Sequence, residues 1–225
     1  MPAPIDAKYY EVVKAASLAE RIFIQARDRI YQDFLTRMRP SAESTIVDVG
    51  VSDVVSDGAN VLERKYPYQS QITACAIGDA PDFCSAFPLV KFQRIQPNCS
   101  LPFADASFDI ATSNAVLEHV GSHHNQVLFV RELCRVARKV FISVPNRYFP
   151  IEHHTAIPLL HYGDRAFWLG CAVLGKLDWT REANLILMTR KRLWTLVAGL
   201  DRSVAVGYTG FFAGPLSSNL YLAID

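Results

Sequence analysis

Residues able to do acid–base or ligand chemistry concentrate in three stretches. "PNRYFPIEHHTAIPLLHY", residues 145–162, places Glu152, His153, His154 and His161 among Tyr148, Phe149 and Tyr162. Titratable groups in an apolar frame have pKa values set by burial and neighbours, and histidine changes charge near neutral pH. Three readings follow: a pocket in which His153 or His154 is a base, a histidine and carboxylate metal site, or a surface loop whose histidines bond locally. "NAVLEHV", residues 114–120, sets Glu118 and His119 side by side just past a strand-like run. His119 is the first candidate for a base taking a hydroxyl proton; the plainer alternative is that the pair caps and packs the turn before "GSHH". "IVDVGVSDVVSDGAN", residues 46–60, ends an apolar run with Asp48 and Gly50 and then lacks the glycines of a phosphate loop.

The elements that must position these residues follow from periodicity. Apolar residues at helical spacing (Val12, Val13, Ala16, Leu18, Ile22, Ile30, Phe34, Leu35) predict one long helix or two short ones over 8–38. "TIVDVG", "QITACAI", "KFQRIQ", "FDIATSN" and "KVFISVP" are short β-branched or apolar runs between turn residues and predict five strands. "HHNQVLFVRELCRVAR", residues 123–138, predicts an amphipathic helix. Strands apolar on both faces and alternating with helices point to a mostly parallel sheet, which binds ligands at the carboxyl ends of its strands. Beyond residue 163, "RAFWLGCAVLG" and "TRKRLWTLVAGL" read as helices. "RSVAVGYTGFF" and "LYLAID" are strands too closely joined to be parallel.

Composition bounds the function. The 225 residues, half of them apolar, suffice for one domain. With 23 Lys and Arg against 22 Asp and Glu there is no field to attract nucleic acid, so no nucleic-acid partner is expected. No apolar run reaches the length of a spanning helix. The amino terminus lacks a secretory pattern. The five cysteines form no C-x-x-C pair, which excludes the usual zinc motifs and a disulfide framework and suggests a cytoplasmic protein.

"LPFADASFDIATSNAVLEHV", residues 101–120, resembles the fourth-strand region of class I S-adenosylmethionine-dependent methyltransferases of type 11, where LPF-x-D-x-SFD precedes the strand and LEH follows it. "VDVG", the helix ending in "LCRVARKVFISVPN" and the terminal antiparallel pair agree. The resemblance covers residues 45–146 and, in outline, 203–225. It implies an α/β, Rossmann-like, doubly wound seven-stranded sheet, mostly parallel with the last strand antiparallel. An N-terminal helical extension would occupy 1–40 and the methyltransferase domain 41–225, with a substrate-covering insertion after the fifth strand at 147–200.

The implied cofactor, S-adenosylmethionine, has no phosphate and needs no dense backbone cradle. The resemblance puts Asp48 near its amino-acid end and Gly50 at the turn, with Ser52 in place of the family's second glycine. Gly58 or Asn60 would then supply the close approach. In register, the ribose-binding acid is replaced by Ala76; Asp79 serves only if the strand ends late, and otherwise forms the turn before Pro81. Asn98 substitutes for an adenine-binding Asp, and Asn114 faces the methionyl region or simply ends the strand. Relatives that methylate catechol-like oxygens hold a cation through E-x-x-E-H; Ala115 replaces the first glutamate. Glu118 and His119 alone do not define a site for a hard cation, so no obligatory metal is expected.

The expected activity is methyl transfer to a small-molecule or lipid-like acceptor, at oxygen, because histidine is abundant and the amine-type Asn-Pro-Pro-Tyr motif is absent. "AIPLL" with "RAFWLGCAVLGKLDW" reads as a lid over a greasy substrate, a membrane-resting face, or plain core helix. The competing expectation, from the drift at Ser52, Ala76 and Pro97, is a catalytically degenerate methyltransferase fold serving binding or assembly.

Overall fold

The computed structural model describes residues 18–55 and 58–225. The start of the predicted first helix, residues 8–17, lies outside the described residues. Seven strands, β1 (Ile46–Val49), β2 (Ile72–Ala76), β3 (Lys91–Arg94), β4 (Phe108–Asn114), β5 (Ala137–Pro145), β6 (Val204–Thr209) and β7 (Asn219–Ile224), form one sheet in the order β3-β2-β1-β4-β5-β7-β6. β1 pairs in parallel with β2 and β4 (Ile46 opposite Ile72 and Ile110), and β7 runs antiparallel to both β5 and β6. This is the doubly wound sheet expected from strands that are apolar on both faces. The order reverses between β1 and β4, so their carboxyl ends open a crevice.

Both faces are covered. On one, α1 (Leu18–Met38), α2 (Val61–Lys65) and α3 (Pro81–Ala86) bury Phe34, Met38, Leu62 and Phe83 against Ile46, Ile72, Ile110 and Phe141. The described part of the amino-terminal segment thus packs directly on the sheet: Phe34 meets Phe141 edge-on at 5.7 Å, and Thr209 Oγ1 donates to Asp33 at 2.6 Å. On the other face, α4 (His123–Val136) and α6 (Arg190–Leu196) bury Val130, Leu133, Val136 and Leu193 against Val47, Val140 and Leu222. Ser122 caps α4 by accepting from Asn125 N at 3.1 Å.

Between β5 and α6 the chain builds a satellite around α5 (Asp164–Val173), with its own core of Ile157, Phe167, Cys171, Trp179 and Leu185. Two backbone bonds fasten it to the sheet edge: Arg147 N donates to Met188 O at 2.9 Å, and Ile186 N donates to Glu118 O at 2.8 Å. The loop after β1 is closed just as firmly. Asn60 accepts from Ser52 N at 3.0 Å and donates to Ser52 O at 2.8 Å, while Asp53 accepts from Phe83 N at 2.9 Å at the start of α3.

Gly50 makes the turn out of β1 with φ +104°, and a Cβ there would lie 2.2 Å from Val116 Cγ2. Both the left-handed backbone and the approach to the post-β4 turn require glycine. Gly50→Ala is expected to cost at least ~2 kcal/mol in denaturant unfolding. Adding Val116→Ala should recover the steric part and leave the backbone part; equal stability of Gly50→Ala and wild type would contradict this turn.

Candidate active site

The turn Leu117–His119 past β4 and the first turn of the satellite bring Glu118, His119, Glu152 and His154 together. His119 Nε2 and His154 Nε2 face each other at 3.1 Å, and Glu118 Oε1 is 3.9 Å from His119 Nε2. The other nitrogen of each ring is fixed: His119 Nδ1 donates to Asn184 O at 2.7 Å, and His154 Nδ1 donates to Glu152 Oε1 at 2.9 Å. Glu152 is buried and also accepts from His154 N, Thr155 N and Thr155 Oγ1 at 3.0, 2.6 and 2.7 Å. Glu118 is 1% exposed, and neither of its oxygens has a hydrogen-bond partner.

The charges follow from these contacts. Burial would raise Glu152, but the hydrogen bond and charge of His154, with the Thr155 donors, bring it down to about 2. Burial opposes a charged His154, yet the hydrogen bond and charge of Glu152 and the charge of Glu118 raise it above the ordinary histidine value. Burial and the charge of His154 lower His119 to about 4. Burial raises Glu118 to about 7, against the opposing pull of His154 and Arg27. Glu152 thus favours the charged form of His154, and the 3.1 Å contact lets the two Nε2 atoms share one proton.

The carboxyl ends of β1 and β4 form the crevice where the resemblance puts the cofactor. Asp48, partly open but surrounded by protein on most sides, lies beside Glu63 of α2. Burial and the neighbouring Glu63 hold Asp48 well above the usual carboxylate range, and burial raises Glu63 as well. Glu63 is fully buried, and no donor among the described residues reaches its oxygens. Such a pair calls for a cation, and the sulfonium and ammonium of S-adenosylmethionine are cationic, so this part of the edge fits that cofactor.

The other residues singled out in the sequence make contacts of their own. Ser52 and Asn60 close their own loop onto each other. Asp79, exposed past β2, pairs with Arg94 at 2.8 Å. Asn98 sits in an exposed turn with φ +56°. Asn114 ends β4 and accepts from Ser143 Oγ across the β4–β5 pair. His153 is outside the cluster, its ring 5.6 Å from Phe23 and 5.3 Å from Phe149, and burial followed by the charge of His154 lowers it to about 4. Sequence reasoning missed Glu63 and Arg27. Helical spacing along α1 marks Arg27 only as polar, yet it is packed near Glu118, and burial lowers it to about 10. Glu63 follows the β1 loop in a helix too short to show a pattern.

Residues 68–140 match the family described as "Methyltransferase domain". No curated protein sequence matches the chain. Among solved structures, a Pyrococcus horikoshii protein shares 13% identity at TM-score 0.61, covering 98% of this chain and 99% of its own. A SAM-dependent methyltransferase from Aquifex aeolicus shares 13% at TM-score 0.56, with 98% of each chain covered. The N-methyltransferase NodS from Bradyrhizobium japonicum, solved with S-adenosyl-L-homocysteine, shares 10% at TM-score 0.54, covering 88% of this chain and 85% of its own. The sheet order with its single reversed strand is the class I methyltransferase fold. The family match over residues 68–140 thus falls within a sheet that has this fold.

The folded protein holds a proton on Glu118 up to about pH 7, whereas the unfolded chain loses it near 4.5. Ionising this buried group therefore costs stability progressively above pH 4.5, and fully above 7. Removing the charge with Glu118→Gln should raise unfolding stability by up to ~3 kcal/mol at pH 8, with chelator present, and leave it nearly unchanged at pH 4. A variant less stable than wild type at pH 8 would contradict the buried, unpartnered carboxylate.

Proposed function

We propose that the protein transfers the methyl group of S-adenosylmethionine to a hydroxyl of a small, amphipathic acceptor, with residues 147–188 of the predicted insertion covering it. The observation that carries this reading is the joining of Glu118 and His119, just past β4, to His154 and Glu152 from the satellite. A hydroxyl must lose a proton to accept a methyl group, and these groups can take it. When bound, the cofactor supplies a methyl on a sulfonium, a good leaving group, so positioning carries much of the acceleration. Asp48 and Glu63 hold its cationic end. Asn184 O fixes the His119 ring, and Glu152 fixes that of His154, so both Nε2 atoms stay directed into the cluster.

An amphipathic or lipid-like acceptor is supported by apolar side chains exposed in the same segment: Leu159, Trp168, Leu169, Val173 and Leu174. They suit a greasy ligand or contact with a membrane surface; among the described residues no helix is long and apolar enough to cross one. All five cysteines are free thiols, which supports a cytoplasmic setting. A second reading, a binding or assembly protein without catalysis, is favoured by one observation: Asp79, the acid that follows β2, is paired with Arg94.

Calorimetry separates the two. S-adenosylmethionine and S-adenosylhomocysteine should bind saturably, and Asp48→Asn should weaken both by about tenfold or more. His119→Ala and His154→Ala should bind them nearly as wild type while slowing transfer of labelled methyl to hydroxyl acceptors by about a hundredfold. Folded protein that shows no binding at millimolar cofactor sinks the enzyme reading, and transfer to amines in preference to alcohols sinks the oxygen acceptor.

A further inference from the structure

We propose that Glu118, His119 and His154 bind a divalent transition-metal ion of the zinc type. One ligand atom from each residue lies within 4.8 Å of the others. Two nitrogens bound to one zinc at about 2.0–2.1 Å stand roughly 3.0–3.5 Å apart, and the two Nε2 atoms are already 3.1 Å apart. Glu118 Oε1, 3.9 Å from His119 Nε2, reaches the same point by a small side-chain rotation.

Two further observations point to an ion. Each ring donates its Nδ1 proton outward, one to a backbone carbonyl at 2.7 Å and one to a carboxylate at 2.9 Å. That is how metal-binding histidines are oriented, and it aims both Nε2 atoms inward. The second is Glu118: its carboxyl group is 1% exposed and both oxygens lack a hydrogen-bond partner, an unsatisfied buried group that a bound ion would satisfy. Two imidazoles and one carboxylate suit zinc or cobalt, whereas magnesium and calcium take oxygen ligands. Beside the cluster, a recess about the size of one water molecule, lined by Glu118, Glu152, His153 and His154, offers room for a fourth ligand.

The sequence hid this site because its third ligand arrives 35 residues after His119, from a separate lobe. Glu152 acts as a positioning residue through His154. The site stands on its own geometry; that its open position receives the acceptor's oxygen rests on the O-methylation reading.

The test uses the full chain, stripped with chelator and titrated with zinc and with cobalt(II), without cofactor. One ion per chain is expected, with a rise in melting temperature and the visible cobalt spectrum of a four- or five-coordinate nitrogen and oxygen site. Glu118→Gln and His154→Gln, and Glu152→Gln through its effect on His154, should each weaken binding at least about tenfold. Failure of folded wild type to bind at micromolar metal overturns the proposal, as does wild-type affinity in folded Glu118→Gln and His154→Gln. If those variants do not fold, the wild-type cobalt spectrum decides: a thiolate charge-transfer band or a weak six-coordinate spectrum overturns the site. Because no cofactor is present, these failures are distinct from failure of the methyltransferase reading, which cofactor calorimetry on the stripped protein tests separately.

Discussion

The junction between the satellite lobe and the sheet edge depends on one buried anion, Glu152. Its two oxygens accept four hydrogen bonds, from the backbone N and Nδ1 of His154 and from the backbone N and Oγ1 of Thr155. Burying a carboxylate is costly unless charge and hydrogen bonds replace water, and these partners do so within the same turn. The consequence is directional. The turn that satisfies Glu152 also points the His154 ring at His119, which sits on the other side of the lobe boundary. Removing the carboxylate would leave a buried imidazolium without its counter-charge, so the lobe's attachment and the site's geometry are set by the same contact.

The sheet supplies the opposite half of the site by topology alone. The reversal of strand order between β1 and β4 puts the turns after both strands at one crevice, and the close contact of Gly50 with Val116 locks these turns together. Asp48 lies two residues before Gly50 at the end of β1, and Glu118 and His119 follow Val116 past β4. The loop after Gly50 has no phosphate to cradle. It is stabilised by its own side chains, Asn60 across its neck and Asp53 on α3, so its unusual length is part of a closed structure.

The architecture was legible because parallel strands buried on both faces leave continuous apolar runs: β1, β2 and β4 lie within the runs that the sequence marks, and β5 begins two residues before its own, where the predicted helix was to end. The cluster was half legible. His119 and His154 stand out as residue types, and both are in it; His153, of the same type and one residue away, is packed between Phe23 and Phe149 because successive side chains in this turn diverge. No local pattern distinguishes the two, since the choice is made by Glu152 and by contacts 35 residues away. Asn60 and Asp79 illustrate the reverse case. Polar residues near a crevice look like ligand contacts in sequence, and here each also has a short-range partner that the sequence does not announce, Ser52 for one and Arg94 for the other.

The most direct measurement is a crystal structure of the protein with S-adenosylhomocysteine. The account predicts the ligand along the carboxyl ends of β1 and β4, its ammonium against Asp48 and Glu63 and its sulfur on the side facing Glu118 and His119. Ligand bound elsewhere, or an Asp48–Glu63 pair left unchanged and out of contact with it, would contradict the account.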